Sequence, residues 1–92
     1  MTFESREHRL KRLRMRSMRR GIKEMDLALT AFAEARLAGL SDTELDLYEA
    51  LLQEPDQDIF LWLTGRAAAP DRFAGMMTDI AHVLQQKVKN EI

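Results

Sequence analysis

Few side chains in this sequence are of the types that carry out catalysis or bind metal ions. There is no cysteine among the 92 residues, which excludes disulfide bonds, thiolate metal sites and thiol nucleophiles. The two histidines are His8 and His82, and although Asp79 lies three residues before His82, one pair of ligands is too little to predict a metal site. No serine lies in a nucleophile elbow, and the four glycines are too scattered to form a phosphate-binding loop. The sequence therefore predicts a protein that is not an enzyme.

The stretch RRGIKEMD, residues 19–26, combines a glycine with closely spaced charges of both signs. One interpretation is local, with Gly21 ending a first helix at a positive φ. Arg19 and Arg20 then lie at the negative carboxyl end of that helix, while Glu24 and Asp26 lie in the positive first turn of the next. Each charge contributes a few tenths to about 1 kcal/mol in such a position. This interpretation needs no partner.

A second interpretation makes the same stretch a docking site. A glycine between exposed opposite charges leaves room for the backbone of another protein to approach closely. Arg20 can then bind a carboxylate or carbonyl of the partner, and Glu24 a basic group or an amide, with Gly21 admitting the contact.

Charge is distributed unevenly along the chain although the formal net charge is only −1. Residues 1–24 carry nine Lys or Arg against three Glu, whereas residues 25–92 carry five against twelve acids. A basic segment of this kind can bind nucleic acid, an acidic membrane surface, an acidic protein or the acidic half of its own chain. Charge alone leaves these four alternatives open.

Composition predicts one soluble globular domain that covers residues 1–92. The content is 46% apolar and 32% charged, which is typical of a small globular chain. No apolar run approaches the roughly 20 residues of a membrane span, and the amino terminus lacks the apolar segment of a signal peptide. We therefore expect no membrane insertion and a cytoplasmic location.

Helical periodicity runs through the whole sequence, so we predict an all-α fold, a compact five-helix bundle. The basic first helix is expected over 3–18, capped by Thr2 or Ser5, with Leu10, Leu13 and Met18 as its apolar stripe. The RG-x-x-E turn covers 19–26, and the bundle covers 22–90. The second helix carries an apolar face and ends near residue 37 before Gly39. That face consists of Ile22, Met25, Leu29 and Phe32.

Start and stop residues delimit the other three helices. SDTE predicts a capping box between Ser41 and Glu44 at the start of the third helix, which carries Leu45, Tyr48, Leu51 and Leu52. The fourth starts at Pro55 or Asp56, stops at Gly65, and is apolar on most sides from Ile59 to Leu63. We therefore expect it in the centre of the core, with Phe60 and Trp62 buried. The fifth runs from Pro70 or Asp71 to Lys89, and its inward residues are Phe73, Met76, Met77, Ile80, Leu84 and Val88. We also expect the methionines to be core residues, including Met15, Met18 and Met25.

Two blocks of sequence together resemble a known family. RRGIKEMD followed by LSDTELDLYEALLQEPDQDIFLWLTG, in a short helical chain, is similar to the succinate dehydrogenase assembly factors, the small FAD assembly factors or SdhE-like flavinators. The resemblance extends over roughly residues 19–65, and the last helix fits in length. The RG-x-x-E signature of the family corresponds to Arg20, Gly21 and Glu24, and Arg19 and Asp26 match its extended form.

The resemblance implies a non-enzymatic assembly factor with these five residues as its partner-binding site. Such a factor binds the flavoprotein subunit of succinate dehydrogenase, and of the related fumarate reductase, and promotes covalent attachment of FAD to a histidine of that subunit. It implies no stably bound cofactor, because the FAD belongs to the client. Mitochondrial members begin with a transit peptide, whereas this sequence begins almost directly at the domain, so we expect a bacterial cytoplasmic protein.

Alternative functions use the basic first helix. A nucleic-acid-binding module is one, but the near-neutral total charge and the lack of aromatic residues between the arginines argue against nucleic acid as a partner. An antitoxin-like interaction domain is the other. Identification of the partner in a pull-down distinguishes it from an assembly factor.

Overall fold

In a computed structural model that describes residues 4–90, the chain forms five α-helices joined by short links. They are α1 (Arg6–Ser17), α2 (Lys23–Arg36), α3 (Asp42–Leu52), α4 (Asp56–Leu63) and α5 (Asp71–Asn90), with a 3-10 turn at Leu37–Gly39. The radius of gyration is 13.0 Å, close to the value of about 12 Å for a compact chain of this length. The predicted five-helix bundle is confirmed. The proposed helix start at residue 3 and the alternative cap Thr2 lie outside the described residues.

The helix termini follow the sequence signals closely. The Ser5 hydroxyl accepts a hydrogen bond from the backbone N–H of His8 at 3.1 Å, which caps α1. At the start of α3, the Ser41 hydroxyl accepts from the Glu44 N–H at 3.1 Å and the Glu44 carboxylate accepts from the Ser41 N–H at 2.9 Å. Gly65 follows α4 with φ of 75°, the left-handed conformation that glycine adopts without a steric cost. The predicted capping box and the predicted stop at Gly65 are confirmed.

The core is built around α2, which contacts α1, α4 and α5. Three of its predicted face residues, Met25, Leu29 and Phe32, are buried, and Ile22 at its amino end is half-buried. The other helices supply buried residues to the same cluster, which include Leu13, Leu45, Tyr48, Leu51, Leu52, Ile59, Phe73, Met76, Met77, Ile80 and Val83.

The prediction that α4 lies in the centre of the core is wrong. Only Ile59 of this helix is buried, and the residues from Phe60 to Leu63, Trp62 among them, are half-buried. This eight-residue helix packs against α2 and α5 at the edge of the core, so most of its apolar residues remain partly exposed.

Three predicted core residues are exposed, for three different reasons. Val88 is 52% exposed, because each step of four residues from Ile80 turns about 40° past a full helical turn and leaves the buried face. Met15 is 64% exposed, since it lies on the side of α1 opposite Leu13. Met18 is 45% exposed, because α1 ends at Ser17 and Met18 is already extended.

Membrane-spanning character is absent from the part of the chain that the structure describes. None of the helices within residues 4–90 combines the length and the apolar content that crossing a bilayer needs.

Candidate protein-docking site

The RG-x-x-E stretch forms a tight turn between α1 and α2. The left-handed residue of this turn is Arg19, with φ of 56°, so the predicted positive φ at Gly21 is wrong. The backbone N–H of Arg19 donates to the Asp26 Oδ1 at 2.9 Å. This bond gives an acceptor to an N–H that lies beyond the end of α1, and it fixes the strained residue to the first turn of α2.

A carboxylate from another helix holds the middle of the turn. Asp56, the first residue of α4, accepts from the Arg20 Nε at 2.6 Å through Oδ1 and from the Gly21 N–H at 2.7 Å through Oδ2. The Arg20 guanidinium also donates to the carbonyl oxygens of Arg16 at 3.2 Å and of Leu52 at 3.3 Å. Arg20 therefore connects the carboxyl ends of α1 and α3 with the start of α4.

Arg20 has little surface left for a partner, because only 11% of its side chain is exposed. The expectation of an exposed positive charge at this position is wrong. Its hydrogen-bonding capacity is directed toward Asp56 and two backbone carbonyls of its own chain.

Close packing favours glycine at position 21. A Cβ on Gly21 would stand 3.1 Å from the Asp56 Oδ2, closer than ordinary van der Waals contact. On its other side Gly21 is exposed to solvent. Its backbone therefore lies between the carboxylate that holds it and an open surface.

The exposed charged residues of the turn are Arg19, Lys23 and Glu24. None of these three side chains has an ion pair or a hydrogen bond within residues 4–90. Asp26, in contrast, is half-buried and accepts the backbone bond from Arg19. The five predicted site residues therefore lie in one turn but divide in two groups, with Arg19, Gly21 and Glu24 at the surface and Arg20 and Asp26 holding the turn.

Sequence reasoning missed Asp56 as part of this site. Asp56 was assigned only the start of a helix, a position where acids are common. The signal that could have found it is the family resemblance itself, which joins the RRG block to the EPD block 35 residues away. Two sequence blocks that occur together in a family can be in contact in the fold, but only the structure shows that Asp56 binds the Gly21 N–H.

A buried pair of hydroxyl groups, those of Ser17 and Tyr48, lies next to the turn on its inner side. The Ser17 hydroxyl donates to the carbonyl oxygen of Leu13 at 2.8 Å, so at 2.6 Å it accepts from the Tyr48 hydroxyl. Burial raises the pKa of Tyr48 to about 12. This pair fixes the last turn of α1 to α3 immediately before the RG-x-x-E turn begins.

The inward arginines of α1 pair with the acidic half of the same chain. Ion pairs join Arg6 to Asp42 at 3.0 Å, Arg9 to Asp46 at 2.6 Å and Arg12 to Glu49 at 3.1 Å. The hydrogen bond from Arg12 lowers the pKa of Glu49, against the opposing effect of burial. One of the four alternatives for the basic segment, its own acidic half, therefore accounts for these three arginines.

The two histidines lie apart from the turn in sequence, and both are exposed. His8 approaches Glu4 at 3.6 Å on the surface of α1. Within residues 4–90, no three potential metal ligands gather at one place. The turn presents a free carboxylate, a free guanidinium, the Lys23 ammonium and an accessible backbone to solvent.

A known protein family matches the part of the chain that contains both the RG-x-x-E turn and Asp56. A family model described as flavinator of succinate dehydrogenase covers residues 11–86. The chain belongs to this family. The chain also shares extended similarity with proteins named succinate dehydrogenase assembly factor 2, mitochondrial. The protein of Meyerozyma guilliermondii is 43% identical over 98% of this chain and 67% of its own length.

Two further relatives with the same name come from other organisms. The protein of Mycosarcoma maydis is 46% identical over 77% of this chain and 30% of its own length. The protein of Dictyostelium discoideum is 37% identical over 88% of this chain and 55% of its own length. The chain therefore spans between about a third and two thirds of the length of these relatives.

These relatives correct the expected location. They are named as mitochondrial proteins of fungi and of Dictyostelium, so the expectation of a bacterial cytoplasmic protein is contradicted.

Proposed function

We propose that this chain is a non-enzymatic assembly factor that binds the flavoprotein subunit of succinate dehydrogenase and promotes the covalent attachment of FAD to that subunit. Membership of the flavinator family and the names of the relatives support the proposal. The observation that carries it is the turn itself, in which the Gly21 backbone and the Glu24 carboxylate face solvent while Asp56 binds the Gly21 N–H from the inner side.

The construction of the turn suits recognition of a folded partner. Its backbone is fixed by the bonds from Arg19 to Asp26 and from Gly21 to Asp56, so little conformational entropy is lost when it docks. The Glu24 carboxylate can then accept hydrogen bonds from an amide or a basic group of the client, and the Arg19 guanidinium can donate to an acid. We assign Arg20 and Asp26 to the site as residues that position these contacts.

The contribution to flavin attachment is one of orientation. Docking selects the client conformation in which the accepting histidine lies close to the flavin methyl carbon, and the client itself carries out the reaction. The factor holds no cofactor of its own in this proposal, because the FAD belongs to the client. We extend the proposal to the related flavoprotein of fumarate reductase as a second client.

Nucleic acid is not a partner in this proposal. Arg6, Arg9 and Arg12 already face carboxylates of α3, which reduces the charge available for phosphate contacts. Micromolar binding of duplex or single strands at physiological salt, with a steep dependence on salt, would contradict this part.

Reconstitution with purified flavoprotein subunit and FAD tests the function. Glu24→Ala is expected to slow covalent flavin incorporation about tenfold or more, as truncation of a central contact does. Glu34→Ala is the matched control, because Glu34 is an exposed glutamate of the same helix. Glu24→Ala should lower the free energy of unfolding by no more than about 1 kcal/mol, the contribution of an acid in the first turn of α2, and thermal unfolding should show that both variants are folded at the assay temperature. Equal incorporation rates for Glu24→Ala and Glu34→Ala would contradict the assigned site, and no stimulation by the unmodified chain would contradict the function.

A further inference from the structure

The helix α1 has one face that packs against the rest of the protein and one face that is exposed to solvent. Its inward side carries Leu13 and the arginines that pair with α3. Its outward side carries residues at spacings of three and four, which lie within about 100° of one another around the helix. The outward residues are Lys11, Arg14 and Met15, and Met18 follows at the helix end.

The outward face combines apolar and positive groups. Met15 and Met18 are two of the four large hydrophobic residues that are exposed within residues 4–90. Methionine is flexible and polarisable, so its side chain adapts to the shape of an apolar partner surface. Exposed pairs of this kind are typical of a binding surface rather than of a solvated helix.

The positive charges on this face are those that the chain does not neutralise. Lys11, Arg14 and Arg19 are exposed and have no ion pair within residues 4–90, in contrast to the inward arginines. One acid, Glu7, lies near the amino end of the same face, so the remaining charge is positive toward its carboxyl end. A surface of this sign is complementary to an acidic one.

The outward face is continuous with the RG-x-x-E turn, because Met18 immediately precedes Arg19. We infer that Lys11, Arg14, Met15 and Met18 form a second part of the docking surface, which binds an acidic protein surface with an apolar depression for the two methionines. This inference rests on the proposed function for the identity of the partner, the flavoprotein subunit. The contact would extend the footprint of the RG-x-x-E turn along about two turns of helix.

A protein fits this face better than a lipid bilayer or a nucleic acid. A helix that lies in a membrane interface uses a broad apolar face with Trp, Phe or Leu, whereas here two methionines stand among charges. Single-stranded nucleic acid is bound by aromatic side chains that stack on bases, and α1 has none.

Binding titrations with the purified flavoprotein subunit test the inference. The double variant Met15→Ser/Met18→Ser is expected to weaken binding about tenfold or more. Val88→Ser is its matched control, because Val88 is also an exposed apolar residue but lies at the end of α5. The double variant Lys11→Glu/Arg14→Glu should weaken binding and reduce its dependence on salt, with Arg66→Glu in the exposed loop after α4 as the control.

The outcomes separate this inference from the proposed function. Binding that Glu24→Ala weakens but both double variants leave unchanged would overturn the inference and leave the function standing. No binding of the unmodified chain to the flavoprotein subunit would overturn both. Binding to vesicles that contain phosphatidylserine tests the alternative that this face binds a membrane. If the methionine variant lost vesicle binding and kept its affinity for the flavoprotein, the face would be a membrane surface and the inference would be wrong.

Discussion

The inward face of α1 and the turn that follows it are both rich in arginine, but they use the residue differently. Along α1, Arg6, Arg9 and Arg12 pair with carboxylates of α3 near the surface, where each pair contributes little on its own. In the turn, Arg20 is largely buried and closes a junction of three helices through Asp56. Arginine therefore neutralises carboxylates of α3 along α1, whereas in the turn it holds the ends of three helices together.

The largest effect is expected where the junction is broken. Asp56→Ala should lower the free energy of unfolding by about 2–3 kcal/mol, because it leaves a largely buried guanidinium without its counter-charge and leaves the Arg20 Nε and the Gly21 N–H without their acceptor. Asp58→Ala is the matched control, since Asp58 is also in the first turn of α4 and shares the favourable interaction with the helix dipole. Urea unfolding measures both variants. Equal losses for the two would mean that the dipole, and not the junction, accounts for Asp56.

A smaller, pH-dependent effect is expected on the inward face. The pKa of Glu49 is lowered in the folded state, so its contribution to stability is present above the ordinary value of 4.5 and is lost as pH falls through the folded pKa. Glu49→Gln should therefore lower the free energy of unfolding by roughly 0.5–1 kcal/mol at neutral pH. The difference from the unmodified chain should shrink in acid. Unfolding curves at several pH values check this, and a difference that stays constant with pH would contradict it.

The smallest effect tests backbone strain in the turn. Arg19→Gly should raise the free energy of unfolding by about 0.5 kcal/mol, because glycine removes the steric cost of the left-handed conformation but adds entropy to the unfolded chain. Arg19→Ala keeps a Cβ at the same φ of 56° and should bring no such gain. Denaturant titration compares the two, and a gain in the alanine variant would point to relief of charge repulsion instead of strain.

Local signals in the sequence predicted local structure well. The capping box of Ser41 and Glu44, the cap at Ser5 and the stop at Gly65 depend on atoms a few residues apart, and all three form as expected. The apolar face of α2 was also predicted correctly, because a helix with many buried positions leaves little choice of orientation. Errors arose where a pattern was extended past a helix end, as at Met18, or where apolar content was taken for central position, as in α4.

The site shows the same division. The sequence alone determined five helices, the turn at residues 19–26 and, through the two matching blocks, the family. Only the tertiary structure decided which residues of the turn face solvent. Asp56 binds both Arg20 and the Gly21 backbone, so the arginine points inward and Glu24 is left at the surface. Helix periodicity records contacts within one helix, whereas this arrangement depends on where the start of α4 comes to lie against the end of α1.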